Sequence, residues 1–89
     1  MRAIVRKSQF KRDFKKLRSS GRKLDRLWEA VELLQSGAPM PPHMRDHALT
    51  GDWIGYRDCH LGGDWLLIYQ RTDALLILVR TGTHSELFG

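Results

Sequence analysis

Cysteine occurs once in the 89 residues, at Cys59, so no internal disulfide can form and the Cys-rich zinc sites are excluded. The fold must stand on packing alone. Proline is confined to Pro39, Pro41 and Pro42, which leaves the rest of the chain free to form helix or strand. No apolar run approaches the roughly 18 residues of a membrane span. Met1 to Phe10 is broken by Arg2, Arg6 and Lys7, so it holds no signal-peptide core, and a cytoplasmic protein is expected. Internal repeats and low-complexity tracts are absent. At this length there is room for one modest core, which excludes a large enzyme fold and implies a single domain over residues 1–89.

Acidic residues are scarce in the first third. Residues 1–26 carry eleven Lys/Arg against Asp13 and Asp25, a net of +9, whereas residues 27–89 carry four against eight, a net of −4. Positive charge clustered in this way attracts polyanions through counterion release; scattered charge would mainly keep the protein soluble.

Arg2 to Arg6 is short and β-branched, a first strand, and Ser8 offers a helix N-cap. Phe10, Phe14 and Leu17 then make an apolar helical stripe, while Lys11, Lys15, Arg18 and Arg22 follow a basic one. Gly21 interrupts. A second helix from about Arg22 to Ser36 carries Leu24, Leu27, Trp28, Val31 and Leu34 toward a core and ends at Gly37. After the Pro-rich joint the period changes. Trp53 to His60 alternates, with Tyr56, Asp58 and His60 on one side and Arg57 and Cys59 on the other. Asp64 to Gln70 and Ala74 to Thr81 complete a three-stranded meander. A three-residue loop at Leu61–Gly63 pairs His60 with Asp64 on one face; a two-residue loop would pair His60 with Trp65 instead. A turn at Thr72–Asp73 would pair Arg71 with Ala74 and set Trp65 opposite Arg80. The expected class is α+β in the order β-α-α-β-β-β: a helical hairpin on a mainly antiparallel sheet of about four strands.

All four histidines follow residue 42. The strand reading gathers His60 and His84 with Asp64 and Arg80 at strand ends, where Arg80 interrupts an aliphatic run and suits an anion. Cleaving an RNA phosphodiester without a metal requires a base for the 2′-hydroxyl, an acid for the leaving 5′-oxygen and a cation for the phosphate charge. Histidine, aspartate and arginine supply those roles. A lone strand-end histidine is more often a surface residue, but three with an acid and an arginine are harder to dismiss. His43 and His47 have the spacing of a helical zinc pair, yet Pro41-Pro42 precedes them and no third ligand is evident, so neither metal nor cofactor is expected. Cys59 reads as a small packing residue.

The runs Asp46–His60 (DHALTGDWIGYRDCH), Asp64–Tyr69 (DWLLIY) and Arg80–Gly89 (RTGTHSELFG) closely resemble the YafQ-like branch of RelE-type bacterial toxins. Residues 1–45 match only as strand, basic helix, apolar helix and Pro-rich joint. The resemblance implies a RelE-like fold and a ribosome-dependent mRNA endonuclease, the toxin half of a type II toxin–antitoxin pair. By the same resemblance the catalytic set falls on His47, His60, Asp64, Arg80 and His84. Phe88 and Trp65 fall on the substrate side, with Phe88 orienting an mRNA base and Trp65 supporting the site by packing. Lys11, Lys15, Arg18 and Arg22 would grip ribosomal RNA. The implied partners are a small DNA-binding antitoxin with an acidic wrapping segment, the 70S ribosome with its mRNA, and operator DNA for the toxin–antitoxin complex; a membrane is not among them. ParE-like gyrase inhibitors share the scaffold, and a plain basic RNA-binding module is the third class, but neither needs the five polar residues together.

Overall fold

The computed structural model describes residues 1–89. The order is β1 (Ala3–Arg6), α1 (Ser8–Ser19), α2 (Asp25–Ser36), a 3-10 turn at Pro42–Met44 and β2 (His47–Ala48). A second 3-10 turn at Gly51–Trp53 leads to β3 (Arg57–Gly62), β4 (Trp65–Arg71), β5 (Leu75–Thr83) and α3 (His84–Phe88). The strands form one sheet in the order β1-β5-β4-β3-β2, antiparallel except where β1 runs parallel to β5. The expected α+β architecture is present, with five strands rather than four and a third, C-terminal helix.

Periodicity explains the helices. On α1, Phe10 and Leu17 are buried and Phe14 packs beside them; on α2, Leu27, Ala30, Val31 and Leu34 face the sheet. Gly37 ends α2 at φ +80, with the Gly37 and Ala38 amides both donating to the Leu33 carbonyl, the hydrogen-bonded close that a left-handed residue permits. Two expectations fail here. Lys7, not Ser8, is the N-cap of α1, and no side chain caps it. Its amide donates to the Leu78 carbonyl, so the helix start is set by the sheet. Trp28 is 44% exposed, because the stripe around Leu27 and Val31 takes the sheet-facing arc and leaves Trp28 on the shoulder against Phe14.

Strand β4 is buried on both faces from Trp65 to Tyr69, which accounts for its unbroken apolar run. Trp65, Leu67 and Tyr69 join the helix-side core with Cys59, Leu61, Leu76 and Leu78. Leu66 and Ile68 join Leu87 on the opposite face, with Leu49, Trp53, Tyr56 and Val79 against them.

The strand boundaries and registers correct the sequence expectation. Trp53 lies in a 3-10 turn rather than a strand, since Gly51 and Gly55 at φ +64 and +92 break the extended backbone on either side of it. Strand β3 continues past His60 to Gly62, so the hairpin pairs Gly62 with Trp65 and His60 with Leu66 across an irregularity at Leu61. His60 pairs with neither Asp64 nor Trp65. At the next turn the Thr72 hydroxyl accepts from the Ala74 and Leu75 amides, which lengthens the loop and pairs Arg71 with Leu76. A bulge at Val79 then adds one residue, so Arg80 pairs with Ile68 and Trp65 with Thr83.

Leu67→Ala should cost about 2–5 kcal/mol in urea unfolding, the usual range for emptying a sealed core position. Trp28→Ala, at its half-exposed shoulder against Phe14, should cost less, about 1–2 kcal/mol. Equal losses would contradict this assignment of core and surface.

Candidate active site

Three histidines from three elements meet at one end of the sheet. His47 stands on β2, His60 on β3, and His84 opens α3. The ring centroids are 6.3 Å apart for His47 and His60 and 5.8 Å for His60 and His84. The chain of rings continues through Phe88, 6.1 Å from His84, to Trp53, 5.9 Å further. Phe88 is 41% exposed beside them.

Helix α3 has only five residues and depends on its start. The Thr83 hydroxyl accepts from the Glu86 amide while the Glu86 carboxylate accepts from the Thr83 amide, a reciprocal capping box. Gly82 lets this box sit on the sheet, since a Cβ there would stand 3.0 Å from the Glu86 carboxylate. Asp64, in the β3–β4 turn, accepts from the His84 amide at 3.3 Å and pairs with the ring Nδ1 of the same residue. That side-chain bond is the main reason the Asp64 carboxyl is held below its ordinary value. An ionised carboxylate can only accept, so Nδ1 carries the proton and Nε2 is left for solvent or substrate.

His47 is held differently. Its Nδ1 lies 2.7 Å from the Arg45 carbonyl, an acceptor, so this nitrogen also carries a proton. The segment bearing it is tied down at Asp46, which accepts from Arg57 Nη2 at 2.9 Å and from the buried Tyr69 hydroxyl. Beneath the two rings lies Asp58, 2% exposed, paired in register with His47. Its Oδ1 is 3.1 Å from His47 Nδ1 yet has no hydrogen bond, because that N–H is directed at Arg45. Burial raises the Asp58 carboxyl, and the neighbouring histidines oppose the rise. His60 is the counterpart: burial lowers it below 6.5, against the attraction of Asp58, with Arg45, His84 and His47 adding to the fall.

His47, Asp58 and His60 each offer one ligand atom within 4.8 Å of the others, so these three residues could hold a metal ion. A metal using His47 Nδ1 would have to displace its bond to Arg45. This set differs from the His43–His47 pair that spacing alone suggests, since Asp58 and His60 come from the adjacent strand β3.

Arg80 is not beside Asp64. It stands in one cross-strand row with Ile68, Asp58 and His47, and its guanidinium is paired with Asp13 of α1 at 2.8 and 3.0 Å. The pair lies in a cleft of about 460 Å³ that also takes in Lys16, Ser20, Arg22 and Glu86. Lys11, Lys15 and Arg18 are exposed on α1. Arg22 lies beyond the helix, which ends at Ser19 before the φ +78 of Gly21, and its guanidinium sits 5.5 Å from the centre of the Trp65 indole. Trp65 is only 3% exposed, with its indole N–H on the Thr81 hydroxyl, so it serves this region through packing.

Sequence reasoning missed Asp58 and Asp13 as members of this region. Alternation had already put Asp58 beside His60, and a charged residue in mid-strand was the available signal. Asp13 carried a different one, as the only acid among ten Lys/Arg in residues 1–24.

A mixed sheet with two helices on one face, a histidine cluster at its end and a basic first helix defines a RelE-like toxin. The family model described as bacterial toxin of type II toxin-antitoxin system, YafQ, matches residues 2–89, and the chain belongs to that family. The mRNA interferase toxin YafQ of Escherichia coli strain K12 is 42% identical over 89 residues, spanning 99% of this chain and 97% of the relative. The toxin in the crystal structure of the E. coli DinJ–YafQ toxin-antitoxin complex superposes with a TM-score of 0.91 at 42% identity, covering 99% of this chain and 98% of that one. A metal-bound toxin from Helicobacter pylori gives 0.92 at 40% identity, covering 99% and 100%.

By nuclear magnetic resonance, His60 should titrate below 6.5. Asp58→Asn should push it lower still, because the anion that favours the imidazolium is gone. An upward shift in that variant would contradict the electrostatic reading.

Proposed function

We propose that the chain is a ribosome-dependent mRNA endonuclease and the toxin of a type II toxin–antitoxin pair. The observation that carries this is the contiguous set His47, His60 and His84, with Asp64 bonded to His84. The reaction is in-line attack of a ribose 2′-hydroxyl on the adjacent phosphorus. The 2′-oxygen–phosphorus bond forms, the bond from phosphorus to the 5′-oxygen breaks, and a 2′,3′-cyclic phosphate and a 5′-hydroxyl result.

His60, kept neutral at pH 7 by its lowered pKa, takes the 2′-hydroxyl proton. His84 delivers a proton from Nε2 to the leaving oxygen, with Asp64 on Nδ1 fixing the ring and its orientation. Arg80 faces the phosphorane charge. His47, anchored through Arg45 and Asp46, positions the substrate ribose or shares proton transfer. Phe88 stacks on a base of the mRNA. No step calls for a metal ion.

Lys11, Lys15, Arg18 and Arg22 bind ribosomal RNA through phosphates, contacts that position without reading sequence. The net +9 of the first third suits an acidic antitoxin segment that folds on binding. The antitoxin's own DNA-binding part carries the complex to operator DNA. No helix is long and apolar enough to cross a membrane, in keeping with action on cytoplasmic ribosomes.

Primer extension on a defined mRNA in a purified translation system tests the reading. Wild type should cut within codons only when ribosomes are present. His84→Ala and Arg80→Ala should each lower cleavage by about 100-fold or more. Intact mRNA in every wild-type lane would overturn it.

A further inference from the structure

Asp13 belongs to α1, the helix whose other charged residues are all basic, yet it is turned inward and 9% exposed. Strand β1 pairs with β5 only as far as Leu78. Beyond that point the edge of β5 is open, and Asp13 occupies it. The carboxylate accepts three hydrogen bonds: from Arg80 Nε at 2.8 Å, from Arg80 Nη2 at 3.0 Å and from the Thr81 amide at 3.2 Å. A guanidinium has five N–H donors in a rigid plane. Asp13 takes two along one edge. The other three, both on Nη1 and one on Nη2, make no hydrogen bond within the chain, and Arg80 and Asp13 together line the cleft with Lys16, Ser20, Arg22 and Glu86.

We propose that Asp13 is a positioning residue that turns the free Nη1–Nη2 edge of Arg80 toward the scissile phosphate. The inference rests on the reading of Arg80 as the phosphate-binding group. One planar side chain can fork to a carboxylate on one edge and to two phosphate oxygens on the other, which a lysine ammonium cannot do. With the side chain already ordered, its rotamer entropy is not lost when RNA binds. The link also makes α1 serve two purposes, its exposed face meeting ribosomal RNA and its inner face holding the arginine.

The test is single-turnover cleavage on mRNA-programmed ribosomes with wild type, Asp13→Asn, Arg80→Ala and the double variant. Asp13→Asn should lower the maximal rate about tenfold, the worth of ordering one long side chain. The toxin concentration giving half that rate should stay within about twofold. In the Arg80→Ala background the same substitution should change nothing further. An unchanged rate in the single variant, or an equal tenfold loss without Arg80, would overturn the proposal, the second by showing that Asp13 acts as a general staple. A full wild-type rate in Arg80→Ala would instead sink the assignment of Arg80 and take this inference with it. Should Asp13→Asn not fold, Asp13→Glu carries the same cycle. It keeps the charge but moves the carboxylate outward by one methylene, so its rate should fall only when Arg80 is present.

Discussion

The one-residue offset in β5 is the constraint from which the site follows. Leu76 and Leu78 alternate into the helix-side core, and strict continuation would send residue 80 there as well. A guanidinium among Leu34, Leu67 and Tyr69 would be prohibitively costly to desolvate. The bulge at Val79 reverses the phase. Thr81 takes the inward position opposite Leu67, where its hydroxyl is satisfied by Trp65 Nε1 and the Leu66 carbonyl. Arg80 joins the row of Ile68, Asp58 and His47 and reaches the open edge where Asp13 waits. Beyond it the restored alternation brings Gly82 under the α3 capping box and His84 to Asp64. A bulge beside a site, re-aiming one side chain, is a recurrent use of the irregularity.

Electrostatics divides the site into a held part and a free part. Asp58 is buried with an oxygen that lacks a hydrogen bond, an arrangement that costs about 1–3 kcal/mol or more in an ordinary core. Two histidines close above it offset that cost in part. The exposed part is different: His84 and Asp64 are both about half open to solvent, so their pairing has little value for stability and much for fixing a tautomer. Stability is held elsewhere, in β4, buried on both faces, and in the Asp46–Arg57–Tyr69 cluster behind His47.

Elements with one dominant signal were legible in the sequence. The stripes of α1 and α2, the left-handed stop at Gly37 and the aliphatic strands β4 and β5 follow from periodicity and glycine alone. What stayed hidden depended on contacts distant in sequence. Nothing local to Thr72 dictates that its hydroxyl will capture two amides and shift the register by two residues. Nothing near Val79 announces a bulge. The two-residue β2 is too short for any period, although it delivers His47. The candidate site residues were named through resemblance and strand-end chemistry, but the expected pairing of His60 with Asp64 is replaced by contacts from each of them to His84. Asp13 could not be placed at all without knowing that the pairing of β1 with β5 ends at Leu78 and leaves an edge to cover.

The chemistry of the cut ends tests the central claim most directly. If the ribose is the nucleophile, mass spectrometry of mRNA cleaved on the ribosome should find a 2′,3′-cyclic phosphate, or the 3′-phosphate formed from it, facing a 5′-hydroxyl. A 2′-deoxy substitution at the cut nucleotide should abolish cleavage. A 3′-hydroxyl facing a 5′-phosphate, or undiminished cutting of the deoxy substrate, would mean that water and not the ribose is the nucleophile, and the acid–base roles assigned to His60 and His84 would fall.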